Sequence, residues 1–197
     1  MSSLPNRKYT VDEYFELERT SEIRHEYHNG EIYAMAGASK NHIRIAKNIM
    51  KRVDDQIEGG ECESFISDMR VRVNDLRYVY PDVVVACGEA DMGRNETLTN
   101  PTVVFEVLSD STDGYDQNKK FEHYQKIPTL TDYLLIDQQR VHIKYHQREG
   151  DTWSQYRTVI YTNPTDTISI ASIACTLTVA DLYKWVVFDP LSCDKIE

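Results

Sequence analysis

At 197 residues, with 41% hydrophobic and 27% charged residues, the chain has the size and composition of one globular domain, read as residues 1–197 with a core at about 9–187. Its formal charge of −10 works against a non-specific nucleic-acid coat protein, because long-range attraction to phosphate needs a positive field, although a local basic groove stays open. No run approaches the roughly 18 apolar residues of a membrane span, and Met1 to Lys8 lacks a signal peptide's apolar segment, so the expectation is a cytoplasmic protein with no membrane partner.

Thr10-Val11-Asp12-Glu13 fits a capping box and predicts a helix from about Thr10 to Arg19. Ile23–Tyr27 and Glu31–Ala36 read as strands joined through His28-Asn29-Gly30, where Asn-Gly signals a type I′ hairpin. Ser39 caps a helix to about Ile57, stopped by Gly59-Gly60, with Ile43, Ala46, Ile49, Met50 and Val53 as its apolar positions. Lys40, Arg44, Lys47 and Lys51 share one stripe of that helix. A solvated face is the ordinary reading of such a stripe, and a phosphate-tracking face the sharper one.

Cys62 to Val73 reads as a strand or two short ones, Asn74 to Arg77 as a turn, and Gly88 to Asn100 as a polar loop. Cys62, Cys87, Cys175 and Cys193 show no C-x-x-C spacing, so buried or incidental thiols are expected rather than a zinc site or a disulfide framework. Ser109 to Gly114 is a connection before a helix from about Asp116 to Lys126, closed by Pro128. Tyr133–Ile136 reads as a covered strand, Val141–His146 as one wet on a single face, and Gln155–Thr162 and Thr167–Ile173 as later strands. Thr178 opens a short helix through Val187. The order of elements predicts an α/β fold with a mixed sheet.

Two acids interrupt apolar runs. Glu106 sits inside Pro101–Ser109, a run apolar on both parities that reads as a strand covered on both faces, and Asp82 opens Pro81–Cys87. A lone carboxylate in a covered strand is costly and normally pairs, binds a metal or shifts its pKa. If the two strands are neighbours, two hard oxygen ligands meet at one end of the sheet, which suits Mg²⁺ or Mn²⁺. An Asp at a strand start is, alone, as readily a turn residue. Asp116, Lys120 and Tyr124 fall on one face of the following helix, where Asp116 and Lys120 read equally as a surface ion pair or as bringing Lys120 over the sheet end. Lys119 is on another face. His42 reads first as a packed histidine and second as a residue bordering the site.

The order Glu26, Pro81-Asp82, Phe105-Glu106-Val107-Leu108-Ser109, Asp116 with Lys120 and Tyr124, then Tyr133-Leu134-Leu135-Ile136-Asp137 resembles the Uma family, within the PD-(D/E)XK nuclease superfamily, from about Tyr9 to Trp185. The resemblance implies a restriction-endonuclease-like core, a mixed sheet flanked by helices with additional antiparallel strands. It also implies Asp82 and Glu106 as metal ligands with Glu26 as an additional upstream acid, and a Mg²⁺- or Mn²⁺-dependent endonuclease acting on DNA. Homodimerisation is expected by analogy with nucleases that cut two strands. The sequence departs from the superfamily motif at Leu108, where a Lys is expected, and Lys120 is the candidate to replace it. The alternative is a catalytically inactive nuclease fold that binds nucleic acid or protein.

Overall fold

Thr10 starts the first helix as its sequence requires. Its hydroxyl accepts from the Glu13 N–H, and the Glu13 carboxylate accepts from the Thr10 N–H, so two amide groups that α1 (Val11–Thr20) would leave unpaired are satisfied. The computed structural model describes residues 7–108 and 114–189, apart from the side chains of residues 114–117. β1 (His25–His28) and β2 (Glu31–Ala34) form the expected hairpin, and Asn29 and Gly30 take the positive φ values, 49° and 90°, that a type I′ turn needs. Tyr14 and Phe15 of α1 pack with Tyr27, Ile32 and Tyr78, an aromatic cluster that fixes the hairpin.

Beyond the hairpin come α2 (Lys40–Ile57), β3 (Cys62–Ile66), β4 (Val71–Asn74), β5 (Arg77–Val79), β6 (Val83–Cys87), β7 (Met92–Gly93), β8 (Thr97–Leu98) and β9 (Pro101–Leu108). They are followed by α3 (Gly114–Tyr124), β10 (Asp132–Asp137), β11 (Ile143–Arg148), β12 (Tyr156–Tyr161), β13 (Thr167–Ile170), β14 (Cys175–Thr178) and α4 (Val179–Leu182). The main sheet has the order β12-β11-β10-β9-β6-β3 and is mixed, because β9 and β10 run parallel while their outer neighbours run antiparallel. A second sheet has the order β2-β1-β5-β4-β8-β7, and β13 pairs with β14.

The residues of β9 are apolar on both parities because both faces of the strand are covered. Val103, Phe105 and Val107 join Ile45, Ala46, Ile49 and Val53 of α2 in one core cluster, while Val104 joins Phe121 and Tyr124 of α3 and Val71, Val79 and Leu98 of the second sheet in another. By alternation along the strand Glu106 shares the face of Val104, the one that α3 covers.

Several sequence expectations need correcting. β7 and β8 fall inside the stretch read as a polar loop, and β5 begins at Arg77, the last residue of the stretch read as a turn, because strands of two or three residues are too short to show a periodicity. Ile43, placed on the apolar face of α2, is 56% exposed, and Ile45 takes the inward position. His146, read as solvent-facing, is buried and stacks on Phe121 at 4.1 Å between ring centroids. α4 ends at Leu182 rather than Val187, and the Thr178 side chain makes no capping bond. Cys62 and Cys87 are cross-strand partners on β3 and β6 and form a disulfide, a pairing invisible until the strand register is known. Cys175 is a buried free thiol, and Cys193 lies outside the described residues. No described helix is long and apolar enough to cross a membrane.

Candidate active site

β6 and β9 are adjacent and antiparallel, with Val83 opposite Phe105, so the preceding residue Asp82 comes level with Glu106 at the sheet end. Asp82 is held from both sides. Its Oδ2 accepts the Val107 backbone N–H at 2.7 Å and its Oδ1 lies 2.7 Å from His42 Nε2. His42 is thus half-buried at the boundary of α2, with its ring against the Asp82 carboxylate.

Glu106 is only 5% exposed. Lys120 Nζ donates to its Oε2 at 2.8 Å, and the buried Tyr124 hydroxyl donates to its Oε1 at 2.7 Å. These donors come from successive turns of α3, so the i, i+4 spacing read from the sequence does place both on the face that meets β9. The Asp116 side chain lies outside the described residues. Burial pushes the Glu106 carboxyl up to about 7; Lys120 and Tyr124 oppose the rise, and the like charge of Asp82 adds to it. Burial disfavours the Lys120 ammonium, but Glu106 and Glu26 outweigh it and hold the ammonium above its ordinary value. The Lys120 side chain is 33% exposed, so its stem reaches the site from solvent.

Glu26 arrives from the other sheet. Tyr27 turns into the aromatic cluster, and the alternation of β1 directs buried Glu26 to the opposite face, where the field of Lys120 reaches it. Burial alone would raise the Glu26 carboxyl, yet Lys120, His28 and the Tyr80 backbone N–H together hold it below the usual carboxylate range. His28 Nε2 lies 3.0 Å from Glu26 Oε2, and Arg77 Nη1 lies 2.7 Å from His28 Nδ1. A guanidinium can only donate, so Nδ1 is the acceptor and Nε2 carries the proton given to Glu26. His28 and Arg77 were missed in the sequence. The signal for His28 was its parity, since it shares a strand face with Glu26 two positions before it.

The three acids do not form a ready-made metal cage. Among the described residues no three His, Cys, Asp or Glu side chains come together closely enough to hold an ion. Asp82 and Glu106 are within mutual electrostatic range, whereas Glu26 is joined to them through the ammonium of Lys120. The donor chemistry nonetheless fits a hard divalent cation. Two carboxylates compete for negative charge at one sheet end, and the rise of Glu106 is the destabilisation that a cation would relieve.

The basic stripe of α2 is partly gathered. Arg44, Lys47 and Lys51 line a cleft of about 360 Å³ with Lys184 and Trp185, whereas Lys40 is exposed and outside it. Trp185 is 74% exposed.

Residues 11–180 match the Uma2 family, described as "Putative restriction endonuclease". The chain belongs to that family. It is 35% identical over 188 residues to the uncharacterized protein slr1290 of Synechocystis sp., covering 94% of this chain and 97% of that protein. With the uncharacterized protein sll1609 of the same organism it shares 39% identity over 145 residues, 72% of this chain and 82% of that protein. Among solved structures, a putative nuclease belonging to DUF820 from Anabaena variabilis superposes with a TM-score of 0.73 at 20% identity, covering 91% of this chain and 99% of that one. The likeness confirms the mixed α/β fold. Family membership supports a nuclease.

Proposed function

We propose that this Uma2 protein is a divalent-metal-dependent endonuclease that hydrolyses DNA phosphodiester bonds. The observation that carries the reading is the surrounding of Glu106: a buried carboxylate level with Asp82, touched by Lys120 and Tyr124, at the end of a mixed sheet. Asp82 and Glu106 would hold Mg²⁺ or Mn²⁺, with Glu26 as a third acid when Lys120 shifts. A metal bound there supplies an acidified water and charge neutralisation at the phosphate. In the hydrolysis the water oxygen bonds to phosphorus, the P–O bond to one strand end breaks, and the leaving oxygen takes up a proton.

The chain's own residues do the positioning. His42 and the Val107 N–H fix both oxygens of Asp82, so the carboxylate cannot rotate away. Tyr124 fixes one oxygen of Glu106, and Lys120 offers a cation beside it that stabilises the negative charge growing on the transferred phosphoryl group. The basic cleft of Arg44, Lys47 and Lys51, with Lys40 near the helix start, tracks the strand's phosphates.

Incubating supercoiled plasmid with the protein and Mg²⁺ or Mn²⁺ tests the reading. Nicking that disappears in Asp82→Asn and Glu106→Gln, with melting temperatures kept, is the expected outcome; equal cutting by both variants and wild type would sink it. A second reading has one observation in its favour: Lys120 is already ion-paired with Glu106, an arrangement that suits a fold that binds without cutting. Mn²⁺ titration separates the two, since failure to bind at millimolar metal supports the non-cutting protein.

A further inference from the structure

Around Arg77, which contacts His28, the surface opens into a cleft of about 430 Å³ lined by Asn29, Asn74, Asp75, Leu76, Arg77, His123 and Lys126. Only Leu76 among these is apolar, so the cleft is ill suited to an apolar ligand. Its charge is the reverse of the chain's. Among the described residues, the Asp75 carboxylate is already paired with Arg72, while neither Arg77 nor Lys126 has a carboxylate within salt-bridge range. Arg77 is half-buried, and the loss of water pulls its guanidinium below its ordinary value, with Glu26 and Tyr33 opposing only in part. His123 is held neutral, pushed down to about 4 by burial and then by Arg77, Lys126, His28 and Lys119, and its buried Nδ1 has no hydrogen-bond partner among the described residues. Two unmatched cations thus converge on one cleft of a protein whose formal charge is −10.

The cleft is also tied to the candidate site. Arg77 reaches Glu26 through His28, and His123 and Lys126 follow Lys120 on α3 and the turn just after it. Acids on one side and unpaired cations on the other are the division expected where a polyanion meets a metal-binding end.

We propose that this cleft is a phosphate subsite, in which Arg77 and Lys126 hold a nucleic-acid phosphodiester flanking the one presented to Glu106. The inference rests on the nuclease reading for its ligand, although binding at the cleft needs no cleavage. Arg77 supplies a planar fork suited to two phosphate oxygens and Lys126 a point charge.

The test is fluorescence anisotropy of a short labelled DNA duplex in EDTA, so that nothing is cut, at salt concentrations from 50 to 200 mM. Lys126→Gln and Arg77→Gln should each weaken binding about 5- to 10-fold and flatten the slope of log K against log salt by about 0.9, one phosphate contact. Arg19→Gln removes the same charge from exposed α1 and should leave the slope alone. Lys126 is exposed, so its variant folds even if Arg77→Gln does not. An unchanged slope in Lys126→Gln overturns the proposal, as does a cleft that takes millimolar inorganic phosphate but shows no effect on duplex affinity. If the slope changes while no metal supports cleavage, the subsite stands and the hydrolytic reading fails.

Discussion

Lys120 Nζ lies 2.8 Å from Glu106 Oε2 although the two residues are 14 positions apart and on different elements. The residue two after Glu106, where the superfamily motif has lysine, is Leu108, on the same strand face as Glu106. The ammonium beside Glu106 comes from α3. If position in space is what matters, Lys120→Ala should lower metal-dependent cleavage by about 10²–10³-fold while leaving Mn²⁺ binding within a few-fold. Adding Leu108→Lys should recover at least a tenth of the lost rate. Single-turnover kinetics on one plasmid substrate checks both, and a Lys120→Ala enzyme that cuts at the wild-type rate removes lysine from the mechanism.

What was legible in the sequence was whatever repeats or interrupts a pattern. The capping box at Thr10, the Asn29-Gly30 turn and the covered β9 strand were each written in local chemistry, and Glu106 stood out because a carboxylate breaks an apolar run. The closeness of the Asp82 and Glu106 strands in sequence suggests that they are neighbours, and β6 does pair with β9. What could not be read was tertiary. Burial of His146 depends on Phe121 arriving from α3, and the Cys62–Cys87 bond on register between two strands. His28 and Arg77 acquire meaning only when β5 lies beside β1.

His42 offers a separable test of positioning. Its Nε2 holds Asp82 Oδ1, and removing it frees the carboxylate without taking away a metal ligand. His42→Ala should weaken Mn²⁺ binding about 10-fold, at the lower end of what loss of an outer partner of a ligand costs. His42→Gln, which can still donate to Asp82, should recover most of it. Calorimetric titration of both variants checks this; equal affinities for wild type and His42→Ala would return His42 to a packing role.

The Tyr124 hydroxyl, as distinct from its packed ring, should matter through Glu106 alone. Its hydroxyl is among the groups that oppose the rise of the Glu106 carboxyl, so Tyr124→Phe should move that titration upward and shift the pH at which metal binds half-maximally in the same direction. A stability loss of about 1–3 kcal/mol is expected, because a hydrogen bond to a charged, buried partner is lost. Urea unfolding at two pH values, read beside the metal-binding midpoint, checks the pair of effects.

The two glutamates should respond to pH with opposite signs. Glu106 has its carboxyl raised to about 7, so from ordinary carboxylate pH up to about 7 the native state binds more protons than the unfolded one, and its contribution to stability falls as pH rises through that window. Glu26 is held below the usual range by Lys120 and His28 against its burial, so its contribution is present above the ordinary carboxylate value and lost as pH drops beneath it. Metal must displace a proton from Glu106 below about 7. Mn²⁺ affinity should therefore climb as pH rises from 6 to 7.5 and level off above, and cleavage should follow it. ¹³C-carboxyl NMR of the metal-free protein checks the assignment residue by residue: a signal that titrates near 7 and vanishes in Glu106→Gln is expected. A Glu106 carboxyl already ionised at pH 5 would show that Lys120 neutralises it fully, and would remove the pH dependence of metal binding with it.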